Sequence, residues 1–116
     1  MEQVITNKEK IVIEVGEKSF KLGFPTRTSI QNAEDAGLVI MELSTKPIKT
    51  STMLFYTGLL AEQPEMTQEE AEKLLEQYIA EGGELAEIND FLFTQITNFS
   101  KSPNGKKKKK AQIVKI

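Results

Sequence analysis

A chain of 116 residues, 39% apolar and 28% charged, is long enough for one domain with a single modest core, and no stretch of it approaches the length of a membrane span. It contains no His and no Cys, which removes the commonest general base, the best thiol nucleophile, disulfides and the usual zinc ligands. Seven of the 15 basic residues and none of the 17 acidic ones fall in 101–116, so residues 1–100 carry a net −9 behind an overall −2.

Residues 1–8 are polar and are expected to be loose. They form no signal peptide, because no apolar region follows a basic start, so the expected location is the cytoplasm. Ile11-Val12-Ile13-Glu14-Val15 alternates with Ile11, Ile13 and Val15 in phase, which predicts a strand. Gly16-Glu17-Lys18 reads as a turn, and Ser19 to Phe24 alternates again with Phe20, Leu22 and Phe24 in phase. Two such strands around a Gly turn make a β-hairpin. A lone hairpin is marginal in water, so its apolar face must cover something. Pro25 ends the second strand. Thr26 or Thr28 can cap a short helix over Ser29 to Ala36, closed by Gly37. Leu38 to Leu43 fits strand and helix almost equally, and we read it as a helical turn packed in the core.

The densest apolar run, Met53 to Leu60, belongs to a helix over about 47–62. Projected at ~100° per residue, Ile48, Phe55 and Leu59 share one face, and Met53, Tyr56 and Leu60 a second. Leu54 and Ala61 point away from both. A helix apolar nearly all round is one that other elements enclose. Thr45 can cap it, Pro47 suits its first turn, and Pro64 is a stop signal. Gly58 costs about 1 kcal/mol against alanine there, for which close approach of a neighbouring backbone is the expected return. Thr67 and Glu70 form a capping box, followed by Ala71, Leu74, Leu75, Tyr78 and Ile79 at amphipathic helical spacing. Gly82-Gly83 ends that helix. A last helix runs from about Glu84 to Phe99 with Leu85, Ile88, Leu92, Ile96 and Phe99 on one stripe and Phe91 and Phe93 well to either side.

These elements predict an α+β fold. An N-terminal hairpin packs on a bundle of about four helices in residues 1–100, followed by a flexible, disordered Lys-rich tail in 101–116. No Gly-rich phosphate loop and no ordered carboxylate pair in an apolar setting is present, so neither an enzyme nor a cofactor or metal is expected. The over-wide apolar face of the last helix has two readings: the hairpin or residues 38–43 cover Phe91 and Phe93, or the face serves self-association or client binding, with Phe91, Phe93 and Phe99 as the candidate surface. An acidic body repels phosphate, and the basic tail carries no aromatic for base stacking, so nucleic acid is not an expected partner.

The order of these pieces resembles the tail assembly chaperones of long-tailed, siphovirus-type phages and prophages of Gram-positive bacteria. The resemblance covers about residues 9–100. It rests on the hairpin Ile11 to Phe24, the short helix with Glu34-Asp35-Ala36-Gly37, Phe55-Tyr56-Thr57-Gly58-Leu59, Pro64, and the capped Thr67-Gln68-Glu69-Glu70 helix. It implies a host-cytoplasmic protein, absent from the mature virion, that keeps the long apolar tape-measure protein soluble until tail-tube subunits displace it. It also implies self-association, and a longer product of −1 ribosomal frameshifting that engages the tail-tube protein. Lys106, Lys107, Lys108, Lys109 and Lys110 are the expected recoding region. Five consecutive lysine codons are A-rich, and tRNAs that slip back one base on such a run still pair. The other readings are a small non-phage interaction adaptor and a nucleic-acid-associated protein that uses the tail.

Overall fold

The hairpin forms from the expected alternation. In the computed structural model, which describes residues 10–99, β1 (Ile11–Val15) pairs antiparallel with β2 (Lys18–Leu22). The expectation for residues 1–8 lies outside the described residues. So do those for the basic tail, including the recoding region of Lys106, Lys107, Lys108, Lys109 and Lys110. Val15 faces Lys18 across a two-residue loop of Gly16 and Glu17. Gly16 has φ 64 and, among the described residues, no non-Gly residue, Glu17 included, has positive φ, the sign pattern of a II′ turn. Lys18, read as part of the turn, therefore belongs to the strand. β2 also stops earlier than the alternation suggested. The Gly23 N–H donates to the Gly58 carbonyl at 3.3 Å, and the Phe24 N–H to Gln95 Oε1 at 2.7 Å, so both leave the ladder for helical partners. Ile13, Val15, Leu22 and Phe24 are buried on the helix-facing side, while Val12 and Glu14 face solvent.

The short helix α1 (Arg27–Ala36) starts at Thr26 rather than Thr28. Thr26 Oγ1 accepts from the Ser29 N–H at 3.2 Å, and Ser29 Oγ accepts from the Thr26 N–H at 3.2 Å. Its thin apolar face buries Ile30 and Ala33. The next segment is a 3-10 turn over Ile40–Leu43, helical as expected, but only Leu38 just before it enters the core. Ile40 and Leu43 are half-buried and Met41 is exposed.

The central helix α2 (Pro47–Glu62) packs against β2, the 3-10 turn, α1, α3 (Gln68–Ala80) and α4 (Leu85–Phe99). From its second turn it is enclosed nearly all round: Thr50, Ser51, Met53, Leu54, Phe55, Thr57, Gly58 and Leu59 are buried. Leu54, which the projection pointed away from both apolar faces, is among them. The Thr57 hydroxyl donates to the Met53 carbonyl at 2.6 Å, so this polar side chain enters the core satisfied. At Gly58, a Cβ would stand 3.2 and 3.3 Å from the Leu92 methyls, and the glycine carbonyl receives β2. The close approach thus comes from the Leu92 side chain of α4, with Leu22 Cβ 3.7 Å away, and not from a neighbouring backbone as expected. Two expectations for the first turn fail. The cap position is Lys46, not Thr45, whose hydroxyl turns back to the Glu42 carbonyl. Ile48, placed on an enclosed face, is 81% exposed, because residues 44–49 all stand clear of the packed elements.

Helix α3 carries the Thr67–Glu70 capping box and buries Ala71 and Leu75. Helix α4 buries Ile88, Leu92, Gln95, Ile96 and Phe99. The architecture is therefore α+β: a two-stranded antiparallel hairpin followed by four helices around one core. Among the described residues no helix is long and apolar enough to cross a membrane.

Candidate functional site

Helix α3 divides its apolar residues between two neighbours. Ala71 and Leu75 face the core; Leu74 and Tyr78 are half-buried; Ile79, last on the same stripe, is 48% exposed. Beside it, the first turns of α2 carry Ile48 out of the core. Between these two helices, the end of α1 and the start of α4 lies an open cleft of about 650 Å³. Ile48 and Ile79 line it together with Met53, Leu75 and Leu85, and Lys49, Glu72 and Glu76 supply charge around the apolar residues. The α3 contribution (Gln68, Glu72, Leu75, Glu76, Ile79) recurs every three or four residues, one continuous helical stripe.

The deeper wall is partly polar. Ser51, buried in the second turn of α2, accepts from Asn89 Nδ2 at 2.9 Å, and Asn89 Oδ1 is buried with no partner among the described residues. A second link fixes the hairpin to α3. Glu81 Oε1 accepts from the Gly16 N–H at 3.0 Å, and Glu81 Oε2 accepts from Gln77 Nε2 at 2.9 Å. The first bond, then the second, holds the Glu81 carboxyl below its ordinary value of 4.5. The hairpin turn is thereby tied to the C-terminal end of the helix that forms one side of the cleft.

The cleft can bind apolar side chains. Burial contributes ~25 cal/mol per Å² of apolar surface, and the exposed Ile48 and Ile79 with the half-buried Leu85 offer such surface in one place. Among the described residues no group of three or more His, Cys, Asp or Glu is placed to hold a metal ion.

The three phenylalanines do not form one patch. Phe93 is 38% exposed, Phe91 is half-buried against the core, and Phe99 is 6% exposed and part of the core itself. Phe91 and Phe93 also lie ~200° apart around α4. In the folded chain, Phe93 is the one of the three with substantial exposure. Ile48 and Ile79 went unselected because each sits on a stripe whose other members are core. The available signal was position: Ile48 sits between Lys46 and Lys49 in a polar first turn, and Ile79 ends its stripe one turn before Gly82-Gly83.

A family model described as "Domain of unknown function (DUF5055)" matches residues 6–115, and the chain belongs to that family. Neither a curated protein nor a solved structure matches the chain.

Proposed function

We propose that this protein is a tail assembly chaperone of a siphovirus-type phage or prophage of a Gram-positive bacterium, and that it holds the tape-measure protein in soluble form during tail morphogenesis. The observation that carries the reading is the cleft between α2 and α3. Two isoleucines stand exposed there on a body of net −9, with apolar residues beside them and charge around them. An apolar helix of the client laid against Ile48 and Ile79 loses its aggregating surface, while the surrounding carboxylates and lysine keep the complex hydrated. Chaperoning requires only this burial, later given up as tail-tube subunits bind the client more tightly. The order of hairpin, short helix and capped helices supports the same reading through its resemblance to these chaperones. In this proposal the protein acts in the host cytoplasm, does not enter the mature virion, and requires no catalytic group, cofactor or metal. A longer −1 frameshift form, made at the run Lys106, Lys107, Lys108, Lys109 and Lys110, engages the tail-tube protein.

Co-expression with the tape-measure protein of the same gene cluster tests the reading. The full chain is expected to bring the client into the soluble fraction. The double variant Ile48→Ser with Ile79→Ser is expected to lose that effect while keeping its unfolding midpoint, and Phe93→Ser to weaken it less. A client that stays insoluble beside the wild-type chain overturns the proposal. If the chain instead binds DNA with a steep salt dependence, the nucleic-acid reading replaces it. The longer form is checked by mass spectrometry of the native gene's products, and a −1 frame that closes within a few codons of the lysine run excludes it.

A further inference from the structure

The two edges of the hairpin are treated differently. In a two-residue hairpin closed by Val15 and Lys18, Ile11, Ile13 and Val15 exchange hydrogen bonds with β2, and the N–H and C=O groups of Val12 and Glu14 point away from it. On the far edge of β2 the outward groups of Lys21, though among the described residues not those of Ser19, are taken up by Gln63, which caps the C-terminus of helix α2. The Lys21 N–H donates to Gln63 Oε1 at 3.0 Å, and Gln63 Nε2 donates back to the Lys21 carbonyl at 3.0 Å. Among the described residues nothing does this for Val12 or Glu14. β1 therefore presents an open edge, with Val12 55% exposed at its middle.

We infer that β1 is a dimerisation strand that pairs antiparallel with β1 of a second copy about a twofold axis at Val12. The residues themselves select that partner. Val12 meets Val12 of the second copy, and Lys10 meets Glu14 on both sides of the axis. All of these positions have outward-pointing backbone groups, so the hydrogen-bond phase of the ladder is kept. Ile11 then lies opposite Ile13 of the second copy on the helix-facing side, and the hairpins merge into one four-stranded sheet. A one-residue slip would oppose outward groups with inward ones and turn the apolar side chains to solvent. Two-residue slips keep the phase but leave Lys10 or Glu14 opposite Val12, without its opposite charge. Glu14 has no ion pair among the described residues. Lys10 touches Glu62 at 3.4 Å with its side chain 36% exposed, which leaves ammonium donors for a second carboxylate.

Cysteine cross-linking reads this register, because the native chain has no cysteine. In the full chain, Val12→Cys is expected to form a disulfide-linked dimer under mild oxidation, since directly opposed residues of such a pair lie ~5.5 Å apart at Cα, within disulfide reach. Lys10→Cys and Glu14→Cys are each expected to fail alone and to link when mixed. Sedimentation equilibrium supplies an independent reading. The wild type is expected to dimerise. Val12→Pro, which removes an outward N–H but no bond to β2, is expected to raise the dissociation constant at least tenfold. Glu14→Lys is expected to weaken the dimer, and adding Lys10→Glu to restore it. A wild type that stays monomeric overturns the inference, as does dimerisation that Val12→Pro leaves unchanged, or cross-linking of Val12→Cys no faster than that of Ser19→Cys on β2.

Discussion

The two ends of helix α2 belong to one element and play opposite parts. From Met53 to Gln63 the helix is the centre of the molecule. It buries Met53, Leu54, Phe55, Thr57, Gly58 and Leu59, receives the end of β2 at the Gly58 carbonyl, and covers the outward groups of Lys21 with Gln63. From Pro47 to Lys49 it rises out of the packing and carries Ile48 to the side of the cleft. The apolar residues are similar in kind at both ends. What differs is how many other elements reach that level of the helix. A side chain is core or exposed surface according to its neighbours, and one helix can be both when its partners stop short of its first turn.

Substitutions along α2 measure this gradient. Phe55→Ala removes a fully enclosed ring that meets Tyr78 at 6.4 Å between centroids, and is expected to cost about 3–5 kcal/mol. Chemical denaturation measures it, and a loss below ~1 kcal/mol would show that the interior is less tightly packed than described. Gln63→Ala tests the boundary between the two behaviours. It removes two bonds to Lys21, but water can reach those groups, so the expected cost is about 0.5–1.5 kcal/mol. Amide exchange sharpens the test: the Lys21 N–H is expected to lose protection, while the β1–β2 ladder bonds keep theirs. Ile48→Ser is expected to change stability by no more than about 0.5 kcal/mol, as for an exposed position outside any cap or core contact. A loss like that of Phe55→Ala would place Ile48 in a packed environment and remove it from the proposed client surface.

The hairpin, the capped helices and the enclosure of α2 follow from local chemistry that the chain displays directly. Period-two alternation at Ile11 to Val15, Gly16 at a position that needs positive φ, the Thr67–Glu70 pair and the apolar run Met53 to Leu60 each state their structure within a few residues. The cleft does not, because a helical projection gives the angle of a side chain and not the length over which neighbours cover that angle. Ile48 and Leu59 share a face, yet one is 81% exposed and the other 0%. Phe99 and Ile79 both close apolar stripes, yet the first enters the core and the second meets solvent. Nor could the pattern foretell that Gln63 bonds the backbone of Lys21 and Gln95 that of Phe24, since each lies more than 40 positions along the chain from the residue it serves. The amino-acid sequence by itself determined which segments outside 38–43 would be strand and helix and, Leu54 apart, which faces were apolar, since those depend on residues two to four positions apart. Only the tertiary structure decided which apolar residues were covered and which strand edge was left open, since both depend on where distant segments end when they meet.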